Sequence, residues 1–389
     1  MAGLIVRPRA GILHGHDWVY RSEVLKVYGS PEPGDVIAVK DGRDRLLGSA
    51  IYNPTSQIVA RRFSRRKEEL DGEFFRRRIA RAADLRARMG CDPALHRIIW
   101  SEADGLPGVV ADRYGSTAVL QIATLAMDTR KNLIAEALAA LPGVRSVIER
   151  DDTPARRAEG LAPAHGTLHG PAPEPMVCRI AGAGFEVDFA GGHKTGLYLD
   201  QAANYARVAA HARGRSVLDV FSNVGGFALA CAAAGAREVA AIESGAETAA
   251  RLARNAALNH ATVEIRQADA FTDLAALARA GRVFDIVILD PPSFTRAKGK
   301  VGDALRGYRE LHRLAAPLIA PGGFLATFSC SHHVAPAAFQ EAVVEGLAAG
   351  RRSARIAEIY FQAPDHPAIL HLPETFYLKG LLLQTVAAF

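Results

Sequence analysis

The chain has 389 residues, 49% of them hydrophobic, which is enough for two or three domains with real cores. Its net charge of +6 suits a polyanionic partner, and equally suits an arginine- and alanine-rich composition with no such meaning. No apolar run reaches the roughly 18 residues of a membrane span, the start lacks the order of a signal peptide, and Cys91, Cys178, Cys231 and Cys330 lack CxxC spacing, which argues against zinc and disulfides and fits a reducing cytoplasm.

Residues 1–67 read as short strands and turns. Gly34–Val39 alternates at period two after a Pro-Gly turn, and Asp41-Gly42 is a hairpin signal before Leu46–Tyr52. Arg61, Arg62, Arg65, Arg66 and Lys67 close this β-rich module. Arg76, Arg77, Arg78 and Arg81 continue the basic cluster on a predicted helix, as a solvated face or an RNA-phosphate contact.

Residues 68–186 read as an α+β unit. Glu68–Met89 and Thr129–Leu141 have helical character. Ile98–Trp100, Gly108–Asp112, Thr117–Ile122 and Ser146–Glu149 read as strands, and Asp151–Pro175 as a loop or hairpin linker. From residue 187 to 389, strands at Ser216–Phe221, Glu238–Ile242, Thr262–Arg266, Phe284–Leu289 and Phe324–Phe328 alternate with helices. That is the pattern of an α/β fold whose mostly parallel sheet binds ligands at the strands' carboxyl ends, with Phe376–Val386 as a last, antiparallel strand.

Those strand ends carry acidic residues: Asp219, Glu243, Asp269 (followed by Ala270) and Asp290. Any one of them alone would be a turn residue or helix cap; four together describe an adenosyl site. Phe221, Ser222, Asn223, Gly225 and Gly226 form the first turn, where glycine permits close backbone approach and the helix N-terminus offers N–H groups to a carboxylate. The absence of G-x-G-x-x-G disfavours a dinucleotide, and with it a nicotinamide oxidoreductase. His193–Gln201 suggests a lid or a capped helix start. Gln201 is assigned to the cofactor, and Lys194 to the base side with Pro291, Pro292 and Phe294.

Asp290-Pro291-Pro292-Ser293-Phe294 is a stiff turn. Its prolines fix φ and leave carbonyls ready to accept from an exocyclic amine, while Asp290 can hold a ring nitrogen and Phe294 can wall in a base. Such turns also serve amino-group methylation. Cys330, between Ser329 and Ser331 just after a strand, points instead to covalent catalysis at carbon 5 of cytosine, with Asp290 and Cys330 as the catalytic pair. A nearby charge should lower its thiol pKa, and His332, His333 and Lys194 are candidates. Cys178 and Cys231 read as core. The other class of function consistent with these features is a non-catalytic RNA-binding assembly factor.

The chain resembles the bacterial large-subunit ribosomal RNA cytosine-C5 methyltransferases with an N-terminal PUA domain. The resemblance runs through Gly15–Tyr20, Leu47–Pro54, Ser101–Gly108, Asp112–Gly115, Lys194–Gln201, the motifs above, Asp365–Pro367 and Pro373–Gly380. It implies a PUA RNA-binding module (1–67), a central α+β domain (68–186) and a class I, Rossmann-like methyltransferase domain (187–389). It also implies S-adenosylmethionine as cofactor, 23S ribosomal RNA as partner, and a homodimer; no metal is expected. The chain departs from these relatives at His193, where glutamine is common, and at Pro175–Arg179, which lacks their Glu-rich lead-in.

Overall fold

The computed structural model describes residues 2–189, 197–295 and 298–386. The chain forms two compact units: Met1–Met176 with Val187–Leu197 and Pro364–Thr375, and Val177–Glu186 with Tyr198–Ala363 and Phe376–Phe389.

The first unit holds two sheets. One has six strands, in the order Trp18–Tyr20, Ile58–Ser64, Leu46–Tyr52, Val36–Lys40, Gly3–Val6, Val24–Tyr28. Pairing is antiparallel except between Gly3–Val6 and Val36–Lys40. Gly48, at φ +138°, is required here, because a Cβ would lie 2.0 Å from the Ser64 carbonyl oxygen. The other sheet has five strands, in the order Ala164–His169, Ser146–Asp151, Thr117–Ile122, Val109–Tyr114, Leu95–Trp100. A helix at Gly72–Arg88 is capped by Asp71, whose carboxylate accepts from the Phe74 N–H at 2.7 Å. Its Phe74, Phe75 and Ile79 share one core with Ile51 and Phe63 of the first sheet.

Two expectations change here. Asp151–Pro175, read as a loop or hairpin linker, holds a short helix at Pro154–Ala158 and an edge strand at Ala164–His169 that pairs antiparallel with Ser146–Asp151. Arg156 anchors this stretch, its buried guanidinium 2.8 Å from both Asp128 and Asp151. The basic cluster, in turn, is partly spent internally. Arg62 is buried against Asp17 at 2.7 Å, Arg61 pairs with Glu102 at 2.7 Å, and Arg78 donates to the Phe63 carbonyl. Arg65, Arg66, Lys67 and Arg81 are exposed.

The second unit is built on a seven-stranded sheet. Its strands are β1 (Ser216–Val220), β2 (Glu238–Glu243), β3 (Glu264–Gln267), β4 (Phe284–Leu289), β5 (Ile319–Ser329), β6 (Ser353–Phe361) and β7 (Lys379–Val386). The spatial order is β3-β2-β1-β4-β5-β7-β6. The first five are parallel, and β7 inserts antiparallel to both β5 and β6. The intervening helices are α1 (Ala202–Ala209), α2 (Gly226–Ala233), α3 (Ala246–Leu258), α4 (Ala270–Arg279), α5 (Val301–Ala315) and α6 (Pro336–Ala349). The β1, β2, β4 and β5 interiors are near-continuous apolar runs, as expected of strands covered on both faces, and they bury Leu218, Val220, Ile242, Leu289 and Leu325. Strand reversal between β1 and β4 brings the segments after β1, β2, β4 and β5 to one carboxyl edge. Among the described residues no helix is long and apolar enough to cross a membrane.

Candidate active site

The β1–α2 turn is the tightest part of that edge. Phe221 and Asn223 have φ of 65° and 52°, and Gly225 follows at 95°. Left-handed backbone at two non-glycine residues costs about 1–3 kcal/mol each and is tolerated where surroundings over-determine it. Gly226 starts α2, and a Cβ there would lie 2.4 Å from the buried Tyr205 ring. Gly226→Ala is therefore expected to destabilise the protein by about 1–3 kcal/mol, read as a lowered urea midpoint.

Asp219 lies buried below this turn. One carboxylate oxygen accepts from Ser222 Oγ at 2.7 Å and from the Ala228 N–H at 3.0 Å. The other is buried with no hydrogen-bond partner among the described residues. Burial pushes this carboxyl up to about 7. The unfolded carboxyl titrates near 4, so the folded chain holds the extra proton between about pH 4 and 7. Stability from this group is full below that window and falls as pH rises through it, with a slope of up to ~1.4 kcal/mol per pH unit. Asp219→Asn should flatten the dependence, measured by urea unfolding at pH 5 and pH 7.5.

Glu243 ends β2 and ties two turns together: its oxygens accept from the Asn223 N–H at 3.0 Å and the Gly245 N–H at 2.8 Å. Asp269 is exposed and caps α4, accepting from both the N–H and the hydroxyl of Thr272 at 3.0 Å, while Ala270 is buried in the core. Asp290 follows β4 and accepts from Gln201 Nε2 at 3.1 Å. The Gln201 carbonyl oxygen accepts from Asn204 at 2.7 Å, so this amide is a buried prop behind Asp290. Pro291 is buried and Pro292 exposed; Phe294 packs on Tyr308 with ring centroids 4.6 Å apart.

Cys330 comes directly after β5 and is half-buried. Its neighbours point inward, because side chains alternate along the strand direction. The Tyr308 hydroxyl donates to Ser329 Oγ at 2.8 Å and lies 3.1 Å from Ser331 Oγ, which in turn lies 3.2 Å from Ser293 Oγ. These hydroxyls link the Asp-Pro-Pro-Ser loop to the cysteine loop, so the Cys330 thiol and the Asp290-Pro291-Pro292 turn share a single edge.

Comparison with known proteins shows the family. Residues 7–65 match the family described as PUA-like domain, and residues 123–383 the family described as S-adenosylmethionine-dependent methyltransferase. "Ribosomal RNA large subunit methyltransferase I" of Shewanella denitrificans is 37% identical over 376 residues, 94% of each chain. The protein of that name from Aeromonas salmonicida is 36% identical over 96% of each. The chain belongs to this family of S-adenosylmethionine-dependent methyltransferases. A solved methyltransferase in complex with SAH superposes with a TM-score of 0.85 at 21% identity, covering 99% of this chain and 100% of its own. A SAM-dependent methyltransferase structure from Streptococcus mutans gives 0.84 at 20%, with the same coverage. Both describe the fold alone.

The methyltransferase's cofactor is S-adenosylmethionine. Its described residues fit that group: a buried carboxylate oxygen at Asp219 without a partner, a left-handed Gly225 turn opening α2, and Glu243 at the end of the neighbouring strand. His193 and Lys194 lie outside the described residues.

Sequence reading missed a residue of the methyltransferase that the fold brings to Cys330. Lys379 opens β7 opposite Ser329 and is buried, its Nζ donating to the Ser331 carbonyl at 2.9 Å and the Tyr377 carbonyl at 3.0 Å. Burial pulls its ammonium down to about 8, and Cys330 pushes it back up. A lone lysine between Tyr377-Leu378 and Gly380-Leu381 was the available signal. Of the expected activating groups, His332 is exposed and stacks on Tyr377 at 5.5 Å, and His333 is exposed. Cys231 is buried and its thiol pushed up by burial, as a core residue's would be.

Proposed function

We propose that this methyltransferase acts on 23S ribosomal RNA and forms 5-methylcytosine through a covalent adduct at Cys330. The names of its near-full-length relatives support the RNA substrate. The observation that carries the chemistry is the placement of Cys330 on the same sheet edge as Asp290-Pro291-Pro292, locked there by the Ser293–Ser331–Tyr308 hydroxyls.

Asp219, Phe221, Ser222, Asn223, Gly225, Gly226, Glu243, Asp269 and Ala270 line the cofactor side, which supplies an electrophilic methyl group when loaded. Asp290, braced by Gln201, holds the cytosine ring edge, with Pro291, Pro292 and Phe294 (and Lys194 from outside the described residues) around the base. The base must leave its helix, because carbon 6 is attacked on its face. Cys330 sulfur adds to carbon 6 and turns carbon 5 into an enamine nucleophile. Carbon 5 would take the methyl group, the cofactor's sulfur–methyl bond breaking to leave a neutral thioether, and would then lose its proton to solvent. The carbon–sulfur bond then breaks and the thiolate leaves. The PUA-like module holds RNA through backbone and shape, with exposed Arg65, Arg66 and Lys67 at its end and Arg81 on the helix that follows it.

The test is methyl transfer from labelled S-adenosylmethionine to 23S rRNA, with product nucleosides separated by mass. Label in 5-methylcytosine that disappears in Cys330→Ala supports the reading. Label in an amino-methylated nucleoside, or transfer that survives Cys330→Ala, sinks it.

A further inference from the structure

We propose that Lys379 is the cationic partner of the Cys330 thiolate, a positioning residue that keeps the nucleophile ionised near neutral pH. The proposal rests on the Cys330 reading above and deepens it.

Three observations converge. Lys379 lies opposite Ser329 in the β5–β7 ladder, and its Nζ reaches the Ser331 carbonyl. It therefore brackets Cys330, anchored at the residue before and at the residue after. Second, an ammonium has three donors. Two go to the Ser331 and Tyr377 carbonyls, and among the described residues the third meets no acceptor, so it is available to a thiolate on the bracketed residue. Third, Lys379 is only 6% exposed, and among the described residues no carboxylate lies within ion-pair distance of it. A buried charge without a counter-charge is costly, so a protein that keeps one has an anion for it to meet. Cys330 is the titratable group felt at Lys379.

The other groups around the thiol serve this task less well. Tyr308, which is also influenced by Cys330 and Asp290, is pushed up to about 12 by burial and stays a neutral phenol. Tyr377 donates its hydroxyl to Asp200 at 2.6 Å and carries His332 on its ring. In the proposed state Lys379 keeps its proton, and the thiol proton passes to solvent.

The test is alkylation of Cys330 by iodoacetamide across pH 6–10 in the full chain, read peptide by peptide by mass spectrometry. Wild type should reach half-maximal rate below about pH 8.5, the ordinary thiol value. Lys379→Met should slow alkylation at pH 7 about tenfold or more and move the midpoint up by about one unit. Lys379→Arg should recover part of the shift. An unchanged profile in a Lys379→Met protein that still binds S-adenosylhomocysteine overturns the proposal. If that variant does not fold, a wild-type midpoint at or above the ordinary thiol value overturns it instead. Alkylation needs no RNA, so this result is separate from the methylation test: an unchanged profile removes Lys379's role even where Cys330→Ala abolishes transfer.

Discussion

Cys330→Ala is expected to lower the rate of 5-methylcytosine formation on the order of 10⁴-fold or more, as loss of a nucleophile does in covalent catalysis. Carbon 5 of an unactivated cytosine cannot attack a methyl donor at a useful rate, so no partial route survives the loss of sulfur. S-adenosylhomocysteine affinity should change less than about threefold, under 1 kcal/mol. The reason is spatial: the carboxylates at Asp219 and Glu243 belong to β1 and β2, whereas Cys330 follows β5. The loop should also keep its shape, since Ser329 and Ser331, not the thiol, make the hydroxyl contacts to Tyr308 and Ser293. Cys330→Ser should be nearly as inactive, because a serine hydroxyl without a base is a poor nucleophile. Single-turnover methylation alongside calorimetric cofactor titration checks both halves. A variant that loses cofactor binding and rate together would point to a collapsed site rather than a missing nucleophile.

What the sequence makes legible here is local. Asp219 and the Gly225-Gly226 turn, the Asp290-Pro291-Pro292 turn and Cys330 each announce themselves by neighbours within a few residues. The alternation of strands and helices orders them on one sheet edge. What it hides is contact between distant segments. Lys379 meets the Ser331 carbonyl across 48 residues, and Gln201 meets Asp290 across 89. Gln201 thus stands behind the Asp290 carboxylate, a relation that no spacing rule contains. The strand at Ser353–Phe361 escapes a period-two reading because Ile356, Ile359 and Phe361 are exposed on an edge strand and its register shifts near Ile356. Ala164–His169 escapes because it is a polar, largely exposed edge strand whose place is fixed by its neighbour and by buried Arg156. The arginines at 61 and 62 read as a surface charge run, yet in three dimensions they find Glu102 and Asp17. Composition records charge but not where its partner folds.

Asp290→Asn is expected to lower kcat/KM for RNA about 10²–10³-fold, the scale of removing one preorganised polar group from a reacting centre. The carboxylate follows β4 and is held by Gln201, which is itself held by Asn204, so its direction is set before any base arrives. Once sulfur adds to carbon 6, charge builds on the ring at nitrogen 3, and a side chain that shares a proton there stabilises the adduct. Asparagine keeps the volume and an oxygen for the Gln201 donor, so the fold should hold. Asp290→Ala removes that oxygen and leaves a buried amide N–H unpaired, costing about 1–3 kcal/mol of stability in addition. The pair of variants therefore separates chemistry from support: both lose turnover, and only the alanine lowers the unfolding midpoint. Iodoacetamide should still label Cys330 in both, since the cation proposed to hold its thiolate is Lys379, which neither substitution touches. An Asp290→Asn enzyme that methylates RNA at close to the wild-type rate would remove Asp290 from the base-reading role and leave Cys330 to act with the proline carbonyls alone.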